Sequence, residues 1–333
     1  MKNKILKFTV SAFALLVGAC ITSCKNFNEE HGITIQGTPY EVYIVCDNDT
    51  WSSPAGDTIR TMLTDPVPAI NQTEPVFDIV HILPGGLRNV IARHRNILKL
   101  SAAPSKKEAM VVEYDVSAHP QTVITVQAPS QTALANYLDS NREKLLGLLE
   151  KSERDRDLSY ARKYNEAGIQ SKIKNKFGVD MLVPKGYQLR SEHEDFLWAS
   201  YELPKASIGF FIYSYPYLGA EPPSPESIID ARNRFAALIP GPSEGSYMTT
   251  SPYYEPLTRH LRINGRLWVE TRGLWDTAND FMGGPFVSFT TVDTDNKRVI
   301  ALDCYVMAVG QKKRNYIREA EHLVYLINIP ESK

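Results

Sequence analysis

Two aspartates, Asp47 and Asp49, stand two residues apart directly after an apolar run, Glu41-Val42-Tyr43-Ile44-Val45-Cys46. Acids so placed could hold Mg²⁺ and attack a phosphate. A phosphatase of that kind carries its threonine one place later, where this chain has Trp51, and rests on a parallel sheet; the plainer reading is a polar turn that caps the next helix. Gly241-Pro242-Ser243-Glu244-Gly245 fits the G-x-S-x-G pattern of a serine nucleophile, with His322 downstream. That nucleophile needs a strand before it and a helix after it. Here a helical stretch precedes and the Tyr/Pro-rich residues 246–256 follow, which places Ser243 in a glycine-rich turn. In a third region Arg266, Trp268, Glu270 and Arg272 alternate along a strand and run into Gly273-Leu274-Trp275-Asp276. Trp268, Glu270, Arg272, Trp275 and Asp276 could line a cleft, against the plainer reading of a solvated strand face with an internal Glu270–Arg272 pair.

The remaining chemistry-bearing residues are scattered. The seven histidines show no H-E-x-x-H or paired metal spacing, so no metal and no cofactor are expected. Cys46 and Cys304 each lie within an apolar strand and read as separate buried thiols, with a disulfide between them the alternative that an extracytoplasmic location would permit. Phe211, Tyr213, Tyr215 and Tyr217 share one strand face, and an aromatic stripe at period two is more often core than a sugar-stacking surface.

The N-terminus carries a different chemistry. Lys2, Lys4 and Lys7 precede an apolar and small-residue stretch at 8–21, which fits a signal-peptide core and is short for a membrane span. It ends in two cysteines behind small residues, Cys20 and Cys24. Both sites resemble a bacterial lipobox, and Ile21-Thr22-Ser23-Cys24 is the better match, so Cys24 is the expected lipidation site with Cys20 as the alternative. Several acyl chains on one cysteine anchor far better than one. The predicted mature body, with the three leader lysines gone, carries a net charge of −4. Such a body has no affinity of its own for anionic lipid, and the balanced charge excludes a nucleic-acid partner.

These residues must be positioned by elements that the spacing predicts. The 333 residues suggest two domains. Strands are expected at 41–46, 76–83, 110–116 and 122–127, with a short helix at 57–63; residues 87–98 have helical spacing, although 96–100 could equally be a strand. One long helical region runs from an N-cap at Ser130 to 177, its charged middle at 150–157 reading as a solvated surface or a break, with Gly178 as C-cap. The second half shows strands near 179–187, 196–202, 209–215, 261–263, 266–272, 286–292 and 298–308. Its helices begin at Ser224-Pro225 and span 315–327. Runs of strands between single helices predict α+β, two domains with mainly antiparallel sheets. The expected organisation is a signal peptide at 1–23, a flexible tether at 24–36, an N-terminal domain at 37–150, a helical linker at 151–177 and a C-terminal domain at 178–333.

Short blocks along the mature chain carry a resemblance. Tyr43-Ile44-Val45-Cys46-Asp47, Glu74-Pro75-Val76-Phe77-Asp78, Arg95-Asn96-Ile97-Leu98, Asp195-Phe196-Leu197-Trp198, Arg272-Gly273-Leu274-Trp275 and Gly283-Gly284-Pro285-Phe286, with the lipobox, resemble an uncharacterised Bacteroidota lipoprotein family of the domain-of-unknown-function series, family 4837. That resemblance implies an envelope lipoprotein and brings no activity or catalytic residue. The order of elements in the second half is similar to the Mog1/PsbP-like α/β/α sandwiches, mostly protein-binding or assembly modules. The expectation is therefore a lipid-anchored outer-membrane protein of the cell envelope, a noncatalytic binding or assembly module with an envelope protein or glycan as partner. The alternative is an envelope hydrolase of glycans or phosphoesters.

Overall fold

The computed structural model describes residues 33–330. The leader, Cys20, Cys24 and most of the expected tether lie outside the described residues.

The N-terminal module runs β1 (Glu41–Val45), α1 (Asn48–Trp51), α2 (Pro54–Thr64), β2 (Asp78–Ile82), β3 (Asn96–Ala102), β4 (Ala109–Tyr114), β5 (Thr122–Ala128), α3 (Gln131–Ser140) and α4 (Arg142–Lys163). Ser53 accepts from the Ala55 N–H with Pro54 at the first helical position, and Ala55, Ile59, Met62 and Leu63 form the buried stripe of α2. Ser130 likewise caps α3 through the Ala133 N–H. These helices and the first turns of α4 cover one sheet face, enclosing Val42, Ile44, Leu98, Leu100, Ile124 and Val126.

Strand order in this sheet is β2-β1-β3-β5-β4, and β1–β2, β1–β3 and β3–β5 pair in parallel. Antiparallel pairing was the expectation for this half, and only β4–β5 meets it. The cause lies in the connections: α1 and α2 carry the chain back to the start of the sheet before β2. Residues 87–98 do the same before β3, not as a helix but as a 3₁₀ turn, Ile91–Arg93, leading into the strand.

The C-terminal module runs α5 (Ala167–Phe177), β6 (Asp180–Met181), β7 (Gln188–His193), β8 (Phe196–Leu203), β9 (Ala206–Pro216), α6 (Pro225–Ala236), β10 (Tyr247–Thr250), β11 (Leu257–Ile263), β12 (Arg266–Ala278), β13 (Gly283–Asp293), β14 (Arg298–Met307), α7 (Arg314–Glu321) and β15 (Ile327–Asn328). Its large sheet is antiparallel throughout, in the order β10-β12-β13-β14-β9-β8-β7, with β11 also paired to β12. Across the whole chain the fold is mixed α and β with mainly antiparallel sheets. Helices α5 and α7 cover one face of the large sheet over Ile208, Phe210, Leu302 and Cys304; α6 covers the other over Phe196, Phe211, Tyr213 and Trp275. Asn264-Gly265 turns the β11–β12 hairpin with φ of 50° and 81°, the positive angles a two-residue turn of this twist requires. The aromatic stripe of β9 is core where it meets α6, Tyr213 stacking on Phe235 with centroids 4.4 Å apart.

Residues 151–177 are not a free linker in this arrangement. Helix α4 continues unbroken through its charged middle, where Glu153 is 1% exposed because it accepts from Arg95, Asn96 and the Tyr40 N–H. Buried charge is tolerated here because each carboxylate oxygen is paired. Helix α5 instead packs Ile169, Ile173 and Phe177 into the C-terminal core, and its end is closed by Gly178 at φ 62°. The two modules meet face to face. Glu74 accepts the Lys313 and Arg314 N–H groups at the start of α7 (2.6 and 3.0 Å), and Arg314 reaches back to Asp78 at 2.7 Å. Negative charge at a helix N-terminus and a returning arginine thus tie α7 to the first module.

Candidate functional site

Strand alternation divides the cleft expected on β12 between two faces. Trp268, Glu270 and Arg272 point toward α7, where Trp268 is core; Trp275, of opposite parity, points toward α6. Asp276 is half-buried and accepts the Thr277 N–H. Glu270 is neither solvated nor free. It accepts from Arg272 at 2.7 Å and from Arg259 at 2.8 and 3.0 Å, and Arg272 continues to Glu321, which also holds Arg318. Burial would raise the Glu270 carboxyl, but Arg272 beside it and the arginine hydrogen bonds hold it below its ordinary value. Burial likewise opposes ionisation of Glu321, and Arg272 and Arg318 override it, holding that carboxyl at about 2. A 240 Å³ cavity between the modules opens on these groups and on Pro68, Glu150 and Leu257. Carboxylates locked ionised between guanidinium groups are poorly suited to passing protons near neutral pH.

The other candidates stand apart from one another. Asp47 is the N-cap of α1, accepting the Thr50 N–H at 2.7 Å, and that bond holds its carboxyl below the usual range. Asp49 is exposed on the same short helix. Although the strand behind them, β1, pairs in parallel with both neighbours, as a phosphatase would need, no group of three or more His, Cys, Asp or Glu among the described residues could hold a metal. Ser243 is exposed and donates to Asp280, while His322 is held by Asp157 at 2.7 Å and the Tyr40 hydroxyl at 3.3 Å. The serine and the histidine are therefore engaged with different partners. Cys46 and Cys304 are free thiols buried in the two separate cores.

Trp275 leads to a site that the sequence reading did not assemble. On the α6 face a cavity of about 430 Å³ is lined by Trp198, Trp275, Tyr305, Met248, Met282, Met307, Ile239 and Pro240, with Arg190, Ser200, Glu202 and Ser207 at one end. Register explains its form. Glu202, Ser207 and Met307 are direct cross-strand neighbours, as are Ser200, Gly209 and Tyr305, so two adjacent rows cross the sheet on this face. A Cβ on Gly209 would lie 2.2 Å from the Tyr305 ring, and one on Gly284 would lie 2.1 Å from the Val306 carbonyl. Glycine in these strand interiors admits the phenol ring and the close backbone approach that floor the cavity. The Val306 carbonyl in turn accepts the Trp275 indole N–H at 3.1 Å, and Trp198 donates to the Tyr305 hydroxyl at 2.7 Å. With both indole donors satisfied, their ring faces are left as apolar wall. Burial pushes the Tyr305 phenol far above its ordinary range, so it stays protonated.

The polar end is a small network. Ser200 and Ser207 donate to Glu202 Oε1 at 2.7 and 3.0 Å, and Arg190, at a bulge in β7, donates to Ser200 at 2.8 Å and to Glu202 at 3.2 Å. An apolar concavity with a few convergent polar groups is the usual form of a small-molecule site. The sequence signal that could have found it was the pair of glycines inside strand patterns, since the lining residues come from six strands and the loops that follow α6 and β12.

The class is now defined: a two-module protein whose C-terminal α/β/α sandwich carries a lined apolar trough beside α6. Residues 166–325 match the family described as Domain of unknown function (DUF4837), and residues 36–160 match Domain of unknown function (DUF8532). The two matched stretches meet where α4 ends. No curated protein matches it. Among solved structures, the Ran-binding protein Mog1p of Saccharomyces cerevisiae is 10% identical with a TM-score of 0.31, over 46% of this chain and 92% of that one. LpqN of Mycobacterium tuberculosis, described as involved in cell envelope biogenesis, is 13% identical with a TM-score of 0.28, over 45% and 81%. A protein of Bacteroides thetaiotaomicron is 8% identical with a TM-score of 0.26 over 45% of this chain and 44% of its own, so this chain spans less than half of that protein.

Proposed function

We propose that this protein is a lipid-anchored binding module of the cell envelope, held at the outer membrane through Cys24, that captures an apolar group in the α6-side trough without transforming it. The observation that carries the binding reading is the trough: an apolar cavity whose wall-forming indoles are satisfied internally and whose floor depends on two glycines. The anchoring part is supported by the basic leader, its apolar stretch and the lipobox-like residues 21–24. No helix among the described residues is long and apolar enough to cross a membrane. The hydrolase alternative asks acids to act together that are set apart here, Asp47 as a helix cap and Glu270 between arginines.

Two measurements test this. Cys24→Ser should move the protein from the membrane fraction to the soluble one; retention of the variant on membranes would refute the anchor. Envelope lipid, glycan and protein fractions titrated against intrinsic tryptophan fluorescence should give a saturable change that Met307→Trp, which fills the trough, removes. Hydrolysis of a generic ester or phosphoester that Glu270→Gln abolishes would overturn the noncatalytic reading.

A further inference from the structure

We infer that the trough takes one extended acyl chain whose uncharged, hydroxyl-bearing head sits between Arg190 and Glu202, that is, a monoacylglycerol-like amphiphile; this rests on the binding reading above.

Shape comes first. The cavity is walled from β8 to β12, which is four inter-strand steps in the order β8-β9-β14-β13-β12. Strands lie about 4.8 Å apart, so the trough is roughly 19 Å long. Spread over that length, 430 Å³ leaves a mean cross-section of roughly 23 Å². That is room enough for a single extended hydrocarbon chain. Three methionines along the wall can adjust to such a chain, and two indole faces bound it.

The hydrogen-bonding groups come next. Tyr305 is 5% exposed; its hydroxyl oxygen accepts from Trp198, which leaves its proton directed to an acceptor that the protein does not supply among the described residues. An ester carbonyl one step inside the head would meet it. At the mouth, every described bond to Glu202 uses Oε1, and Arg190 uses Nε and Nη2. Glu202 Oε2 and Arg190 Nη1 remain, an acceptor beside a donor. The pair is neutral as a unit, so it matches a head that both donates and accepts, as a vicinal diol does, and a bare carboxylate would face Glu202 with like charge.

The test uses the full chain carrying Cys20→Ser and Cys24→Ser, so that no acyl group is attached. 1-Monolaurin and laurate are titrated below their micelle-forming concentrations, read by tryptophan fluorescence and by native mass spectrometry for stoichiometry, with the neutral dye N-phenyl-1-naphthylamine as a general apolar probe. The expected result is one monolaurin per chain, bound about tenfold more tightly than laurate, the equivalent of about 1.4 kcal/mol. Glu202→Gln, at a side chain half exposed and remote from the core, should close most of that gap. Tyr305→Phe should weaken monolaurin severalfold, as loss of one hydrogen bond does. Equal affinity for the two lipids, or a gap unchanged in Glu202→Gln, overturns the head-group assignment. Dye binding that Met307→Trp blocks, with neither lipid competing, overturns the acyl inference and leaves the binding reading standing. Failure of all three probes to bind overturns both.

Discussion

Arg272→Met tests whether the buried charges that tie β12 to α7 hold the protein together. Arg272 is 7% exposed and bridges Glu270 to Glu321. Its removal leaves Glu321 to Arg318 and Glu270 to Arg259, whose side chain is 66% exposed and contributes little. The magnitude follows from Glu321, held at about 2 against an ordinary 4.5. At 1.36 kcal/mol per pKa unit that depression is worth roughly 3 kcal/mol of folding free energy, shared between two arginines. With the penalty of leaving Glu270 half-paired, the variant should lose about 2–4 kcal/mol at neutral pH. A depressed carboxyl stabilises the fold above its unfolded value, and that contribution is lost as pH falls through the folded one. The deficit of the variant should therefore be full at pH 7 and shrink below about pH 4.5 as the carboxylates protonate. Urea unfolding followed by tryptophan fluorescence at pH 7 and pH 3.5 compares the full deficit with one partly lost. A neutral-pH deficit under about 0.5 kcal/mol would refute the argument, since a surface pair is worth no more. So would a deficit equal at the two pH values.

Three further outcomes are expected. Gly209→Ala should cost about 1–3 kcal/mol and abolish dye binding in the trough, because the new methyl meets the Tyr305 ring; an unchanged urea midpoint would show that the ring moves freely. Glu74→Ala should cost about 2–4 kcal/mol, since two N–H groups of α7 lose a buried acceptor, and calorimetry should show the modules unfolding less cooperatively; a single unchanged transition would count against Glu74 as the tie. Asp47→Ser should preserve stability to within about 0.5 kcal/mol while Asp47→Ala loses about 1 kcal/mol, as a cap requires, whereas equal losses would mean that Asp47 acts by charge and not by capping.

Features encoded on one element were legible in the sequence. Ser130, Ser224 and Gly178 end helices where their chemistry says they should, Asn264-Gly265 makes its hairpin, and the β9 aromatics are core. Each depends on neighbours a few residues away, which spacing records. The charged middle of α4 misled for the opposite reason: its residue types look solvated, and only the arrival of Arg95 and Asn96 from β3 makes burial of Glu153 affordable.

The candidate site divides along the same line. Alternation on β12 placed Trp268, Glu270 and Arg272 on one face, and they are there; what that face touches was decided by α7 bringing Glu321 and Arg318 against it. Trp275 needed Tyr305, Trp198 and Met307 from strands far away in sequence before it lined anything. By itself, then, the sequence determined the helix caps and the strand periodicity. Only tertiary structure decided the parallel pairing of the first sheet, the ionic seam between the modules and the trough. Periodicity specifies which face of a strand or helix is apolar, whereas the partner that covers that face is selected by burial and charge pairing among segments from about 30 to more than 200 residues apart.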